Sequence, residues 1–402
     1  MSPHDWPTIP SIISDQRLAP LTRPELARYH RNALVPQVGL VGQQRIRASR
    51  VLIVGAGGLG APAALYLAAA GVGRLGIVDD DAVDLSNLQR QIIHTTAGLG
   101  RPKAESAARA VRALNPDIEA LPQRLRLSAG NAAEILRGWD LVIDGTDNFP
   151  TRYLLSDATV LLGLPLVHGA VLGMHGQVGV FDARRGPCYR CLHPAPPPAG
   201  SVPSCAEAGV LGVLPGIIGT MQATEALKLI VGGARPLIGR LQLLDAWGSH
   251  VQQIRVARNP HCASCGPRPT INRLLPEADP CSPPGPAAGR GAAPEEISAA
   301  GLRAALAGPE PPALLDVREE AEVALEPMPG AAHIPLGEVA RRAGELDPLR
   351  RTVVVCASGM RSQRAISALR QAGHGGPLLS LRGGMRAWAA LEPAAPDRSG
   401  LG

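Results

Sequence analysis

The ten residues from Val51 to Gly60, Val-Leu-Ile-Val-Gly-Ala-Gly-Gly-Leu-Gly, restrict this chain more than any other stretch. Four aliphatic residues in a row read as a short strand buried on both faces, and Gly55, Gly57 and Gly60 then fit the Gly-x-Gly-x-x-Gly turn that opens a helix beneath a nucleotide phosphate. Side chains in that turn, at Gly58 as well, would keep the main-chain N–H groups from closing on an anion, and the helix behind them adds about half a positive charge. The run from Val51 to Gly73 carries no charge over 23 residues, a length at which a membrane span competes as a reading. Six glycines and Pro62 inside it, together with the strand-then-helix pattern, favour a buried βα unit. Dinucleotide-binding and ATP-using Rossmann-like domains share this turn, so the residues downstream must decide between them.

At 402 residues the chain has room for two or three domains. Apolar residues make up 45% but aromatics only 2%, so the core must be built from Leu, Val, Ala and Ile. Residues 1–21 are Pro-rich and expected to be loosely ordered. A first domain over 22–275 begins with a helical stretch from Pro24 to Arg50. It continues through a small-residue helix at Ala61 to Ala70 and a second strand, Leu75 to Val78, which runs into Asp79-Asp80-Asp81. Asp79 stands about 20 residues beyond the turn, where a ribose hydroxyl is usually held. A helix starts at Gly100-Arg-Pro-Lys103, and a third apolar strand, Leu141 to Ile143, delivers Thr146-Asp147-Asn148 to its carboxyl end, the side on which open α/β sheets bind ligands. Residues 276–293 are Pro, Gly and Ala in composition and read as a linker; 294–391 form a second, smaller domain, and 392–402 a tail.

The formal charge is +6, and only Lys103 and Lys228 among the 40 basic residues are lysines. In so arginine-rich a chain a retained lysine points to a position that wants a compact ammonium. The basic residues are scattered with few aromatics among them, which argues against nucleic acid as a partner. The start, Met-Ser-Pro-His-Asp-Trp-Pro, lacks a basic segment followed by an apolar block, so the chain reads as cytoplasmic, with no membrane partner. Seven cysteines, including Cys188-x-x-Cys191 and Cys262-x-x-Cys265, then suggest metal and thiol chemistry before disulfides. Two such pairs supply four corners of a tetrahedral Zn²⁺ site; a redox dithiol or two unrelated turns are the competing readings.

Arg90 and Lys103 suit a triphosphate whose negative charge rises during displacement, and Asp147 at a strand end suits Mg²⁺, which takes one or two carboxylates plus phosphate oxygens. An ordinary turn or helix cap is the plainer, second reading of Asp147-Asn148. No Gly-x-x-x-x-Gly-Lys-Ser/Thr loop exists, which disfavours γ-phosphate chemistry and leaves attack on the α-phosphate, with pyrophosphate leaving.

Arg-Tyr-His-Arg at 28–31, the glycine turn, Ser-Asn-Leu-Gln-Arg at 86–90, Gly-Arg-Pro-Lys at 100–103, Thr-Asp-Asn at 146–148 and Cys-Tyr-Arg-Cys at 188–191 together resemble the MoeB/ThiF ubiquitin-activating-type adenylyltransferases over Leu21 to Pro269. The resemblance implies that Gly57, Asp79, Asn87, Arg90, Lys103, Asp147 and Asn148 bind ATP and Mg²⁺. It implies also that Arg31 reaches the phosphates of the other subunit of a homodimer, and that Cys205 bonds covalently with a sulfur carrier. A surface arginine and a merely buried cysteine are the plainer readings of those two.

The smaller domain contains Leu314-Leu-Asp316-Val-Arg318, His333-Ile-Pro335, Val353-Val-Val-Cys356-Ala-Ser-Gly-Met-Arg361 and Arg382-Gly-Gly-Met-Arg-Ala-Trp388. An apolar strand ends at Cys356, and a loop of six residues folds its N–H groups around the sulfur ahead of a helix, a setting that stabilises the thiolate, the species that accepts a sulfur atom. These motifs resemble a rhodanese. Dual-specificity phosphatases use five residues between Cys and Arg where Cys356 and Arg361 have four, and the smaller ring favours sulfur. Many active rhodanese loops carry a basic residue after the cysteine; here it is Ala357. Together the two resemblances imply an α/β chain: a Rossmann-like ATP-binding domain with a mixed sheet and a four-cysteine zinc site, fused to a smaller α/β rhodanese domain. The implied activity is adenylation of the C-terminal glycine of a ubiquitin-fold sulfur carrier, followed by sulfur transfer from a Cys356 persulfide that a donor such as a cysteine desulfurase charges. A Rossmann-type oxidoreductase, or an adenylating enzyme with a non-catalytic rhodanese module, remains the alternative.

Overall fold

The computed structural model describes residues 6–197, 209–275 and 295–391, which fall into two compact units divided between Pro283 and Pro284. In the first unit eight strands form one sheet in the order β3-β2-β1-β4-β5-β6-β7-β8. Strands β1 (Arg50–Val54), β2 (Arg74–Val78), β3 (Glu119–Gln123), β4 (Leu141–Asp144) and β5 (Leu166–Leu172) run parallel. The sheet then turns antiparallel through β6 (His175–Phe181), β7 (Arg240–Asp245) and β8 (His250–Arg255).

The strand expected to be buried on both faces lies inside the sheet, with Ile53 level with Ile77 on one side and Ile143 on the other. Alternate residues feed two cores. Val51, Ile53, Leu75 and Ile143 pack under α3 (Gly60–Ala70), α4 (Lys103–Leu114) and α8 (Val213–Val231), whereas Leu52, Val54 and Val142 pack against α5 (Ala132–Leu136) and α6 (Phe149–Leu162). Small residues let these helices approach closely in place of aromatic bulk. A Cβ at Gly219 of α8 would lie 2.3 Å from the Leu59 carbonyl oxygen at the start of α3.

The N-terminal expectation fails from Trp6 onward. Ile9 and Ala234 form an antiparallel bridge, Ile13 sits in the core at 3% exposure, and Arg17 pairs with Asp140. Proline-rich composition lowers helix and sheet content without preventing a segment from bonding along a surface. The stretch 24–50 is two helices, α1 (Arg23–Ala33), opened by a Thr22–Glu25 capping box, and α2 (Gly39–Ala48). Pro36 lies in the break between them.

In the second unit five parallel strands take the order β11-β10-β12-β13-β9: β9 (Glu296–Ile297), β10 (Ala313–Asp316), β11 (Ala331–His333), β12 (Thr352–Val355) and β13 (Leu378–Leu381). Helices α9 (Ala299–Leu306), α10 (Glu320–Leu325), α11 (Met360–Gln371) and α12 (Gly384–Ala389) complete it, with Cys356 immediately after the fully buried central strand. Among the described residues no helix is long and apolar enough to cross a membrane.

Candidate active site

The glycine turn leaves β1 at Gly55, whose φ of +96° suits only glycine, and a Cβ there would lie 2.6 Å from the Gly145 carbonyl oxygen. The next residue is held at both ends. The Ala56 N–H donates to Asp79 Oδ2 at 2.8 Å, and its carbonyl lies 3.0 Å from His94 Nε2, while His94 Nδ1 is 3.0 Å from the Ser106 hydroxyl. Asp79 Oδ1 accepts the Asp81 N–H at 2.9 Å. The carboxylate expected at a ribose therefore also ties the turn to the end of β2; burial raises its pKa in spite of these donors.

A cleft of about 390 Å³ opens beyond the turn, and Gly55, Gly57, Gly58, Asp79, Asn87, Arg90, Lys103, Asp147 and Asn148 all line it. Gly60 does not. Its missing side chain serves the turn itself, since a Cβ would fall 1.9 Å from the Gly55 oxygen. Arg31 lies on the exposed side of α1, away from the cleft wall of its own chain. Cys205 and Cys281 lie outside the described residues.

Lys103, at the first position of α4, is 5% exposed and places Nζ 2.8 Å from Asp81 Oδ2. Arg90 donates to the Ser86 carbonyl at 3.0 Å, and Asn87 Oδ1 accepts from Gln91 Nε2 at 2.6 Å. Asp147 is exposed, and Asn148 caps α6 by accepting the Thr151 N–H at 3.0 Å, so Asn148 is a helix cap that also lies in the cleft lining. Four carboxylates on this wall, from Asp79, Asp80, Asp81 and Asp147, stand with the cations Arg90, Lys103 and Arg126, so the wall offers oxygen ligands to a cation as well as charge to an anion.

Beneath the cleft lies a buried polar cluster that motif reading misses. Asp144, with no exposed surface, accepts from His168 Nδ1 at 2.8 Å and from both the N–H and hydroxyl of Thr146, at 3.0 and 2.6 Å. Burial pushes its carboxyl up, but the His168 hydrogen bond and the Arg152 charge outweigh it and hold the pKa below the usual range. The available signal is a carboxylate closing the apolar strand Leu141-Val-Ile.

Cys188 is the N-cap of the short helix α7 (Tyr189–Leu192) and Cys191 lies within it, and Cys262 and Cys265 form a second tight turn closed by the Gly266 N–H on the Cys262 carbonyl at 3.0 Å. All four sulfurs lie within 4.8 Å of one another, with separations of 3.8, 3.5 and 3.3 Å for the pairs 188/191, 188/262 and 191/265. Sulfurs ~2.3 Å from a tetrahedral ion would be about 3.8 Å apart, so the donor set is compatible with zinc. Protons resist sharing here. The Cys188 hydrogen bond holds Cys191 down at about 4, the same bond and then burial push Cys188 far up, and burial lifts Cys265 to about 11.

In the second unit Cys356 is fully buried at the centre of its loop. Sγ accepts the N–H groups of Gly359 at 3.1 Å and Ser362 at 3.3 Å. The Arg-Gly-Gly-Met motif explains why those N–H groups face inward. The first N–H groups of α12, from Met385 and Arg386, donate to the Cys356 and Ala357 carbonyls at 2.8 and 3.2 Å and turn the opposite side of the loop towards the sulfur. Arg361, closing the loop, is bound by both carboxylate oxygens of Glu322 at 2.6 Å.

A nucleotide-sized cleft at the carboxyl ends of a Rossmann-type sheet, and a separate parallel α/β unit whose central strand presents a cradled thiol, define a two-domain enzyme class that joins nucleotide to sulfur chemistry. Sequence comparison gives the family. The ThiF family matches residues 29–264 and the rhodanese-like domain residues 298–391, and the chain belongs to the ThiF family with a C-terminal rhodanese-like domain. It is 52% identical over 259 residues to the sulfur carrier protein adenylyltransferase of Thermus thermophilus, an alignment covering 63% of this chain and 96% of the relative. It is 41% identical over 414 residues to the adenylyltransferase and sulfurtransferase MOCS3 of Mus musculus, covering 96% of this chain and 90% of that one. Among solved structures, E. coli MccB with AMPCPP and MccA shares the fold at a TM-score of 0.55 and 17% identity, over 63% of this chain and 77% of that one.

Proposed function

We propose that this chain uses ATP to adenylate the C-terminal glycine carboxylate of a ubiquitin-fold sulfur-carrier protein and then supplies sulfur to it from a persulfide on Cys356, giving a thiocarboxylate. The observation that supports the first step best is the convergence of Arg90, Lys103 and Asp147, from three separate segments, on one cleft beneath the glycine turn. A carrier carboxylate oxygen attacks the α-phosphorus, the bond to pyrophosphate breaks, and Lys103 and Arg90 stabilise the charge that develops on the departing phosphates. Asp147, with the neighbouring Asp79 to Asp81 carboxylates, is the proposed holder of Mg²⁺, which when bound neutralises phosphate charge. Cys188, Cys191, Cys262 and Cys265 are the proposed zinc ligands.

In the second step the terminal sulfur of the Cys356 persulfide attacks the acyl carbon and its leaving group departs, producing an acyl disulfide. A second thiol must attack the enzyme sulfur of that disulfide to release the thiocarboxylate. An external thiol is the proposed attacker, leaving a mixed disulfide on Cys356 that another thiol reduces; Cys205 is proposed to bond covalently with the carrier, its thiolate displacing AMP from the acyl adenylate before the persulfide displaces it in turn. Arg31 is proposed to reach the nucleotide of a partner copy in a homodimer, and a cysteine desulfurase to charge Cys356. None of the five described cysteines is in a disulfide, which suits a cytoplasmic setting. The product would serve molybdopterin, thiamine, cysteine or transfer-RNA thiolation pathways.

The test is carrier-dependent exchange of labelled pyrophosphate into ATP, with each ubiquitin-fold carrier of the same cell supplied in turn. Exchange with at least one carrier, abolished by Asp147→Ala, is expected; its absence with all of them, or undiminished exchange in the variant, would sink the proposal. A mass gain of one sulfur on Cys356 after exposure to a persulfide donor separates an active rhodanese unit from an inert one.

A further inference from the structure

His94 lies in the segment between β2 and α4 and is 5% exposed. Three pieces of the cleft wall meet on it. Its Nε2 stands 3.0 Å from the carbonyl oxygen of Ala56, inside the glycine turn, and its Nδ1 stands 3.0 Å from the hydroxyl of Ser106, on the helix that Lys103 opens. Its own N–H donates to the Gln91 carbonyl at 3.0 Å, and the Gln91 side chain, buried in the cleft wall, donates to Asn87.

These partners fix where the ring proton sits. A carbonyl oxygen only accepts, so Nε2 carries the proton. In the neutral ring Nδ1 is then an acceptor, and the Ser106 hydroxyl donates to it. Burial, joined by the Lys103 charge, holds the ring below its ordinary pKa against the pull of the Ala56 bond, so the neutral ring is the form at pH 7. Ala56 is thereby held from both sides, its N–H by Asp79 and its carbonyl by His94. That carbonyl shares one planar trans peptide with the Gly57 N–H, and the two point in opposite directions. Pinning the oxygen on His94 therefore aims the Gly57 N–H away from the imidazole. Gly57 lines the cleft, and its N–H donates to no group among the described residues.

We propose that His94 is a positioning residue for the nucleotide. By fixing the Ala56–Gly57 peptide it holds the Gly57 N–H ready for a phosphate oxygen, and through Ser106 it keeps the Lys103 helix in register with the turn. The proposal rests on the reading of the cleft as an ATP site. The imidazole touches no reacting atom in this role, and the form that serves is the neutral ring protonated on Nε2.

The experiment uses the full chain and two variants that divide the ring between them. His94→Gln places an amide nitrogen where Nε2 stands, and His94→Asn, one carbon shorter, places its amide where Nδ1 stands. Calorimetry measures MgATP affinity, and thermal melts measure stability. H94Q keeps the Ala56 bond and binds MgATP within about three-fold of the native chain, whereas H94N leaves that carbonyl unpaired and binds about ten-fold more weakly. Each variant gives up one hydrogen bond, so a residue that only held the fold together would weaken both alike. Nitrogen-15 spectra of the native chain at pH 7 show a neutral ring, absent from both variants, with its proton on Nε2. The proposal is overturned if H94N binds MgATP as tightly as H94Q or tighter, or if the native His94 ring carries its proton on Nδ1. A native chain that binds no MgATP would overturn the reading of the cleft, and this role with it.

Discussion

The sulfurs of Cys188 and Cys262, 74 positions apart in the chain, stand 3.5 Å from each other. Such closeness between two buried thiols closes a long loop, and closing it through an ion stabilises the folded state by whatever the ion binds. One zinc per chain is the expected stoichiometry. Cys262→Ser should release it and lower the melting temperature of the first unit by roughly six to twelve degrees, on the order of 3 kcal/mol for a domain of this size. Metal analysis and scanning calorimetry check this; full zinc retention in the serine variant would show that the cluster is not the site.

A second expectation concerns Gly384. A Cβ added there would lie 2.2 Å from the Cys356 carbonyl oxygen and 2.6 Å from the Ser358 nitrogen, and the residue has a φ of +59°. The loop cannot move away without releasing the Met385 and Arg386 donors that orient it. Gly384→Ala should therefore cut persulfide formation on Cys356 at least ten-fold while adenylation, a property of the other unit, stays unchanged. Intact-protein mass spectrometry beside pyrophosphate exchange measures both.

Much of this layout can be read from the chain because its chemistry sits on short local motifs. The glycine turn, the helix beginning at Lys103 and the strand ending at Cys356 each declare themselves within about ten residues. Features made by distant pairing are not legible. Nothing local marks Asp144 and His168 as partners, and the β7–β8 hairpin, with Trp247 83% exposed at its turn, alternates polar and apolar residues too irregularly to stand out. Composition misleads at the N-terminus, where Ser11 bonds the Ile230 carbonyl at 2.5 Å across most of the first unit's sequence. The turn motif assigns Gly60 to the ligand, whereas its geometry answers to Gly55.

The Arg361–Glu322 pair sets a pH dependence. Burial pushes the Glu322 carboxyl up, but the Arg361 hydrogen bonds outweigh it and its pKa lies below the ordinary 4.5. A carboxylate lowered in the folded state contributes stability that is fully present above about pH 4.5 and is lost as pH falls through the folded value. Glu322→Gln should thus destabilise the second unit by about 2 kcal/mol at pH 7, with Arg361 left buried and less well paired. The difference from the native chain should shrink as the pH is lowered below about 4.5 towards the folded value. Denaturant melts of the full chain at pH 7, 5 and 3.5, followed by tryptophan fluorescence, test the sign; a gap that widens in acid would contradict it.

Lys103 offers the sharpest test of the cleft. Its side chain is 6% exposed and its ammonium bonds Asp81 at 2.8 Å, so it is held at the first turn of α4 on the cleft wall. A guanidinium is planar and broader and spreads its charge over a fixed fork, so it does not put a point charge where the compact ammonium does. Lys103→Ala should lower carrier adenylation about a hundred-fold, the scale of losing one charge-stabilising donor. Lys103→Arg should recover little of it, even though arginine fills nearly every other basic position of the chain. Pyrophosphate exchange at saturating ATP decides the point, because an ammonium that acts on the transition state lowers the maximal rate, whereas one that only holds Asp81 would leave that rate close to native in the arginine variant.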